Sequence, residues 1–202
     1  HGQVGAWWLR QGAARALEPG CQADYTLVLE GEQGAGKTSA LRILGGRWYR
    51  EVTLALEDRR EAAMALRGSW ITELAELAAI RRSLTETAKS YLTATRDRYR
   101  PPYGICDVDV PRRCVFAAST NAWTYLSDPS GARRGGPVAC GTIDVEALTR
   151  DRDQLWAEAV HQWRAGMPRW PSREDEEGLA SAVSERHEAA PWERAMERLM
   201  AT

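Results

Sequence analysis

The chain has few of the residues that build disulfide frameworks and metal clusters, and it lacks a membrane-length apolar run. It has three histidines and four cysteines, and the spacing of Cys21, Cys106, Cys114 and Cys140 fits no zinc-ligand pattern. We therefore expect four free thiols in a cytoplasmic protein. No apolar run approaches the roughly 20 residues that cross a bilayer. No charged-then-apolar leader follows His1, so no membrane partner is expected.

Lysine is also scarce. Lys37 and Lys89 are the two lysines, and every other one of the 27 cationic residues is an arginine. A lysine is a compact, flexible point charge, whereas arginine is a rigid planar fork, so a lysine in this background hints at a site that the fork does not fit. The net charge of −1 argues against a uniformly basic surface and is compatible with a local basic groove.

Strands alternate with helices, which predicts an α/β domain with a mainly parallel sheet flanked by helices. Apolar or alternating runs predict strands at 26–30, 51–56, 68–73 and 113–121, and a short strand within 131–140. Helical periodicity predicts helices at 4–17, 37–44, 58–66, 74–95 and 144–165, and weak helices within 166–202. We place the main domain at 1–150 and a helical C-terminal appendage at 151–202.

The segment GEQGAGKT, residues 31–38, fits the phosphate-binding pattern G-x-x-x-x-G-K-[ST]. Backbone N–H groups must curl around a phosphate there, and side chains would block that approach. The loop opens a helix whose N-terminus favours an anion. Lys37 is expected to reach the β- and γ-phosphates and Thr38 to bind Mg²⁺, so ATP and Mg²⁺ are the predicted cofactors. The predicted nucleotide site comprises Gly31, Gly34, Ala35, Gly36, Lys37, Thr38 and Ser39.

Hydrolysis also requires an acid near the metal and a group that positions water. Glu73 ends a predicted strand, and Glu76 follows one helical turn later. Either could act on the metal or the water, although two glutamates in ELAEL also fit a solvated helix face. Asn121 ends the strand CVFAASTN, where an amide suits positioning of the attacking water. Arg133 and Arg134 lie in a glycine-containing loop and suit stabilisation of transferred charge, or an ordinary surface loop.

Cations alternate with aromatic rings between residues 96 and 113. The residues are Arg96, Arg98, Arg100, Arg112 and Arg113 with Tyr99 and Tyr103. Such a pattern suits single-stranded nucleic acid, because the charges follow phosphates and the rings stack on bases. An exposed basic loop or hairpin held by Pro101 and Pro102 is an equally good interpretation.

Six blocks in this order resemble the virulence-associated protein E family of phage and pathogenicity-island proteins. The blocks are LEPGCQADYTLVLEGEQGAGKT, LRGSWITELAEL, KSYLTATRDRYRPPYG, PRRCVFAASTN, YLSDPSGARRGGPV and DRDQLWAEAV. That family is akin to superfamily 3 helicases and phage primase-helicases. The resemblance implies a P-loop nucleoside triphosphatase fold of the AAA+ and superfamily 3 type.

The resemblance also implies roles for the residues. Residues 31–38 match the Walker A loop, Glu73 and Glu76 the acidic Walker B segment, and Asn121 the sensor. The extra helicase motif, which leads into elements that touch single-stranded DNA, is matched by Lys89, Thr93, Asp97 and Arg100. The implied DNA contacts are Lys89, Arg96, Arg98, Tyr99 and Arg100. Arg133 and Arg134 match arginines that reach a neighbouring subunit's nucleotide in a ring, commonly a hexamer.

Two departures from the family pattern bear on these roles. Gly135 and Gly136 follow the paired arginines, where the family usually has bulky aromatic residues, so we expect a looser loop there. The two acids stand three positions apart, whereas the helicase Walker B segment usually has adjacent acids. Family members often carry an N-terminal primase-like domain, for which this chain has no room.

The sequence therefore predicts a Mg²⁺-dependent ATPase that couples hydrolysis to movement on DNA during replication of a mobile element. Single-stranded DNA, further copies of the chain, and a primase or other replication protein are the expected partners. Two other functions stay open. One is a small P-loop kinase that acts as a monomer, and the other is a nucleotide-dependent switch or assembly module without turnover.

Overall fold

A computed structural model describes residues 2–53, 59–74, 90–121 and 135–184. Within these ranges the protein is an α/β fold with a mainly parallel sheet flanked by helices, as the alternating pattern predicts. All four cysteines are free, in agreement with their spacing. No described helix combines the length and the apolar character that crossing a membrane requires.

The helices and strands are numbered in chain order. The helices are α1 (Gly2–Leu17), α2 (Lys37–Gly45), α3 (Arg59–Ala65), α4 (Val145–Arg164) and α5 (Arg173–Ser184), with a 3-10 turn at Gly46–Trp48. The strands are β1 (Thr26–Glu30), β2 (Tyr49–Val52), β3 (Ile71–Leu74), β4 (Arg96–Tyr99), β5 (Val108–Pro111), β6 (Val115–Thr120) and β7 (Gly135–Ala139).

Five strands form one sheet in the order β2-β3-β6-β1-β7, and every neighbouring pair is parallel. Glu30 at the end of β1 lies opposite Thr120 of β6, and Glu73 of β3 lies opposite Ala117. Because the strands are parallel, their carboxyl ends meet at one edge, where ligands of such sheets bind. At the other edge, Gly135 at the start of β7 lies opposite Thr26.

The core covers both faces of the sheet. On β6, Val115 and Ala117 pack on one face and Phe116 and Ala118 on the other, as the two-residue period of a strand requires. The first face packs against α1, α2 and α4 through residues that include Trp8, Leu41, Leu44 and Trp156. The second packs against Ala62 of α3 and against Leu66, which directly follows that helix. Burial on both faces explains why β1 is a continuous apolar run.

Helix α4 belongs to this core, so the predicted division at residue 150 falls inside it. Asp144 caps its N-terminus by accepting a hydrogen bond from the Ala147 N–H at 2.9 Å. Trp156 is buried and its indole N–H donates to the Leu44 carbonyl at 3.1 Å. Arg152 Nε donates to the Ile43 carbonyl at 2.7 Å. These side chains satisfy carbonyls at the end of α2 that have no partner within that helix.

Two strands lie at different positions from those predicted. The 3-10 turn at Gly46–Trp48 brings the chain into β2 at Tyr49, two residues before the predicted start. Strand β3 runs over Ile71–Leu74, so Glu73 lies inside it rather than at its end. The predicted helix at 74–95 falls mostly outside the described residues. The hairpin alternative for the segment of alternating cations and rings is confirmed, because β4 pairs with β5.

Gly136 has a packing role in β7, whereas the loop of Arg133 and Arg134, which was expected to be looser, lies outside the described residues. It lies within β7 opposite Leu27 of β1. A Cβ atom at position 136 would lie 2.5 Å from Cγ1 of Val4 on α1. Glycine is therefore required for helix α1 to approach the edge strand this closely.

We expect Trp156→Ala to lower the free energy of unfolding by about 3–5 kcal/mol, because a large buried ring leaves a cavity. For a chain of this size that is a fall in Tm of roughly 10 °C. Trp170→Ala is the matched control, since this indole is 49% exposed and its loss is expected to change stability by no more than about 0.5 kcal/mol. Equal melting temperatures for both variants, measured by circular dichroism, would contradict the assignment of α4 to the core.

Candidate functional site

The glycine loop connects the carboxyl end of β1 to the first turn of α2. Gly34 and Gly36 have φ angles of 85° and 89°, which lie in the left-handed region that side chains disfavour. The Ile143 N–H donates to the Ala35 carbonyl at 2.9 Å and holds the loop against the segment that precedes α4. Helix α2 begins at Lys37, so the partial positive charge of its N-terminus faces the loop.

The Lys37 side chain lies within this loop and is buried. Its ammonium donates to the carbonyls of Gly31 at 2.8 Å and Glu32 at 2.7 Å, and to Oδ1 of Asn121 at 3.0 Å. Asn121 directly follows β6, so the parallel register brings its amide beside the loop. Lys37 and Asn121 thus present a cation and an amide at the same edge of the sheet.

Glu73 has a buried carboxylate that accepts three side-chain hydrogen bonds. Oε1 accepts from the Thr38 hydroxyl at 2.9 Å and the Ser119 hydroxyl at 2.7 Å. Oε2 accepts from the Tyr49 hydroxyl at 2.5 Å. A buried carboxylate requires such partners, because an unpaired charge in the interior is costly.

Tyr49 and Ser119 are functional candidates that the sequence analysis did not assign. Ser119 belongs to the small polar end of a predicted strand, and this was the available signal. Tyr49 gave none, since the predicted strand began after it. Burial, together with the hydrogen bond to Glu73 and the charge of that carboxylate, raises the pKa of Tyr49 well above its usual range. The hydroxyl therefore stays protonated and continues to donate.

Cys140 lies beside the same loop. Its backbone N–H donates to the Glu30 carbonyl at 2.7 Å. Burial raises the pKa of its thiol, although the positive charge of Lys37 opposes part of that shift. The thiol is therefore held in its neutral form, which makes it a poor nucleophile at neutral pH.

The donor set fits a hard cation bound together with an anion. Thr38 and Glu73 offer hydroxyl and carboxylate oxygens, which Mg²⁺ prefers. Among the residues that the structure describes, no group of three or more His, Cys, Asp or Glu side chains could hold a metal alone. Mg²⁺ is usually held by one or two protein ligands together with phosphate oxygens and water.

The structure brings four predicted site residues together, namely Lys37, Thr38, Glu73 and Asn121. Gly31, Gly34, Ala35 and Gly36 form the loop, and Ser39 is exposed on the first turn of α2. Four further predicted residues lie outside the described residues, namely Glu76, Lys89, Arg133 and Arg134. The roles of all these residues stay predictions.

The hairpin of β4 and β5 carries the predicted nucleic-acid contacts, and most of its arginines have partners. Arg96 pairs with Asp109 at 2.8 Å and Arg98 with Asp107 at 3.3 Å. Arg100 Nε donates to the Gly104 carbonyl at 2.7 Å. All three arginines remain exposed, so their charge is available to solvent.

Two residues of this segment are buried, whereas a nucleic-acid interface needs exposed side chains. Tyr99 is only 5% exposed, so its ring cannot stack on a base, and that prediction is wrong. Arg112 is buried in an ion pair with Asp97 and donates through Nε to Oδ2 at 3.0 Å. Burial lowers the pKa of Arg112, but the hydrogen bond and charge of Asp97 outweigh it and give a net rise. Tyr103 and Ile105 are large hydrophobic side chains that are exposed at the hairpin tip.

The sequence matches the virulence-associated protein E-like domain over residues 1–189, nearly the whole chain. The chain belongs to this family. The resemblance predicted from the six sequence blocks is thereby confirmed. A search of curated proteins found no significant sequence match to this chain.

Solved structures of the NrS-1 C-terminal region in the apo form share this fold. One has a TM-score of 0.55 at 13% identity, with 90% of this chain and 47% of that chain covered. Another has a TM-score of 0.54 at 15% identity, with 94% and 49% covered. The domain therefore spans about half the length of those structures. At such identities the similarity shows the fold alone.

We expect the protein to lose stability above about pH 10, where an ordinary tyrosine ionises. The pKa of Tyr49 is raised in the folded state, so the unfolded chain releases that proton first and the free energy of unfolding falls as pH rises. Burial raises the pKa of Tyr91 in the same direction. Tyr49→Phe should make the decline shallower, and it should cost about 1–2 kcal/mol at pH 7 through the lost hydrogen bond.

Urea denaturation at several pH values measures this slope. Tyr103→Phe is the control, because Tyr103 is fully exposed and its removal should leave the slope unchanged. If Tyr49→Phe and the wild type lose stability in parallel above pH 10, the hydroxyl of Tyr49 does not titrate as the geometry indicates.

Proposed function

We propose that the chain is a Mg²⁺-dependent ATPase that couples hydrolysis to movement on single-stranded DNA during replication of a phage or mobile element. The observation that carries this proposal is the meeting of four groups at the carboxyl edge of the sheet. They are the ammonium of Lys37, the hydroxyl of Thr38, the carboxylate of Glu73 and the amide of Asn121. Membership of the virulence-associated protein E-like family supports a role in replication.

The loop and the start of α2 would bind the phosphates of ATP. Gly34 and Gly36 allow the backbone to curve around an anion. Lys37 would exchange its bonds to the Gly31 and Glu32 carbonyls for bonds to the β- and γ-phosphates. Thr38 and Glu73 would hold Mg²⁺, which neutralises charge on the phosphates when it is bound.

Water would attack the γ-phosphate from the side of Asn121. The amide lies 3.0 Å from Lys37 Nζ, and it can therefore orient a water molecule next to the phosphate that Lys37 binds. Glu73, or Glu76 three residues later in the sequence, would polarise that water. An arginine from a neighbouring subunit, Arg133 or Arg134, would stabilise the transferred charge. Because this arginine would come from a neighbouring subunit, we propose that the chains form a ring. The family resemblance indicates a hexamer.

The β4–β5 hairpin would contact the DNA. Its exposed arginines Arg96, Arg98 and Arg100 would follow the phosphates. Tyr103 at the tip, rather than Tyr99, would stack on a base because its ring is fully exposed. Lys89 is a further proposed phosphate contact. A primase or another replication protein is the proposed partner of the assembly.

Lys37→Ala should abolish ATP hydrolysis, because the β- and γ-phosphates lose their cation. The assay is ATP turnover with and without single-stranded DNA, alongside the mass of the protein in solution. Arg164→Ala, an exposed arginine on α4 away from the loop, is the control and should retain turnover. Unchanged turnover in Lys37→Ala would exclude the proposed site. DNA-independent phosphate transfer by a monomer would indicate a kinase, and ATP binding without turnover would indicate a switch.

Tyr103→Ala should weaken binding to single-stranded DNA about tenfold, in line with the loss of one base stack. Fluorescence anisotropy with a labelled oligonucleotide measures the effect. Tyr103→Phe retains the ring and should retain the affinity. Trp170→Ala removes an exposed aromatic ring outside the hairpin and should retain the affinity as well. Equal affinities for Tyr103→Ala and the wild type would remove the hairpin tip from the interface.

A further inference from the structure

A cavity of about 600 Å³ lies at the edge of the sheet opposite the glycine loop. Ser69 and Trp70, which precede β3, line it, as does Cys114, which precedes β6. These residues mark the amino ends of parallel strands, whereas Lys37 and Asn121 lie at the carboxyl ends. The cavity is therefore separate from the site proposed for ATP.

The walls of the cavity are mainly apolar and aromatic. They include Trp48, Leu66, Trp70, Tyr99 and Val110. Trp48 and Trp70 pack edge to face with ring centroids 6.3 Å apart, and Trp48 remains 43% exposed. Flat aromatic walls of this kind favour a planar ring as the bound group.

One wall carries a buried polar group without a partner. Tyr99 is 5% exposed, and its hydroxyl makes no hydrogen bond in the structure. Buried hydroxyls normally have partners, because leaving one unpaired is costly. The hydroxyl is shielded from solvent, so Tyr99 contributes to the cavity wall without offering this group to a ligand.

The charged residues that line the cavity give it a net positive charge. Arg67 and Arg113 are exposed residues of the lining, and neither pairs with an acid among the described residues. The acid of the lining, Asp97, is already paired with the buried Arg112. Two cations without a compensating acid favour an anionic ligand.

We propose that this cavity binds a planar aromatic anion. The ring lies against Trp48 and Trp70, and Arg113 with Arg67 holds the anionic group at the mouth. Two kinds of molecule have this chemistry, namely an aromatic carboxylic acid and a mononucleotide. The inference does not depend on the proposed ATPase activity.

Isothermal titration calorimetry with 2-naphthoate and with AMP tests the proposal and separates the two sources. Each titration is made with the whole chain and with its Lys37→Ala variant, so that any binding at the glycine loop is removed. Binding that persists in Lys37→Ala is expected for at least one compound. A failure of ATP hydrolysis would leave this result unaffected.

Three variants locate the binding. Arg67→Gln should weaken it about fivefold through the loss of one charged contact, without lowering the Tm, because Arg67 is exposed and pairs with no acid among the described residues. Arg113→Gln should weaken it by a similar factor, and Val110→Trp should abolish it by filling the mouth. Arg164→Gln is the control and should bind as the wild type does.

Retained binding of 2-naphthoate alone in Lys37→Ala identifies an aromatic acid site, and retained binding of AMP identifies a nucleotide site. Binding of neither compound overturns the proposal. Equal binding by the wild type and by both Arg67→Gln and Val110→Trp overturns it as well, because the ligand would then lie elsewhere.

Discussion

The hydrogen bonds to the Glu73 carboxylate hold the candidate site together. Thr38 from α2, Ser119 from β6 and Tyr49 from β2 all donate to it. Each donor comes from a different element, so one buried charge fixes the first turn of α2 relative to three strands of the sheet. A buried carboxylate is stable only while such donors remain. The position of the glycine loop and the packing of β2 therefore depend on the same side chain.

The fold and the centre of the candidate site could be predicted because their signals are local. A buried strand, a run of glycines and a helix follow one another within residues 26–45, and the parallel arrangement then brings Glu73 and Asn121 to the same edge. Tyr49 could not be predicted. Its contact with Glu73 depends on the turn at Gly46–Trp48, which moves the start of β2 from the position that alternation alone indicates.

The hairpin and the opposite cavity show the limit of sequence patterns more clearly. Alternation of cations and rings does not tell which side of a ribbon faces solvent, so Tyr99 and Arg112 were expected to be exposed although both are buried. Arg112 is buried because Asp97, fifteen residues away, neutralises it. The cavity forms where α3, the hairpin and the residues before β3 and β6 meet. No local sequence pattern predicts a cavity formed between segments that lie far apart in the chain.

The register of β7 has a consequence for how catalysis would be shared between chains. Gly135 directly follows Arg134 in the sequence and lies opposite Thr26, at the amino end of β1. Four residues of extended strand, about 13 Å, separate that point from the carboxyl end of β1, where the glycine loop starts. If an arginine acts as proposed, on the nucleotide of a neighbouring chain, the centre would be composite, with the glycine loop from one polypeptide and the final charge from another. Turnover per molecule would then decline on dilution, as it does for any centre that exists only in the assembled complex.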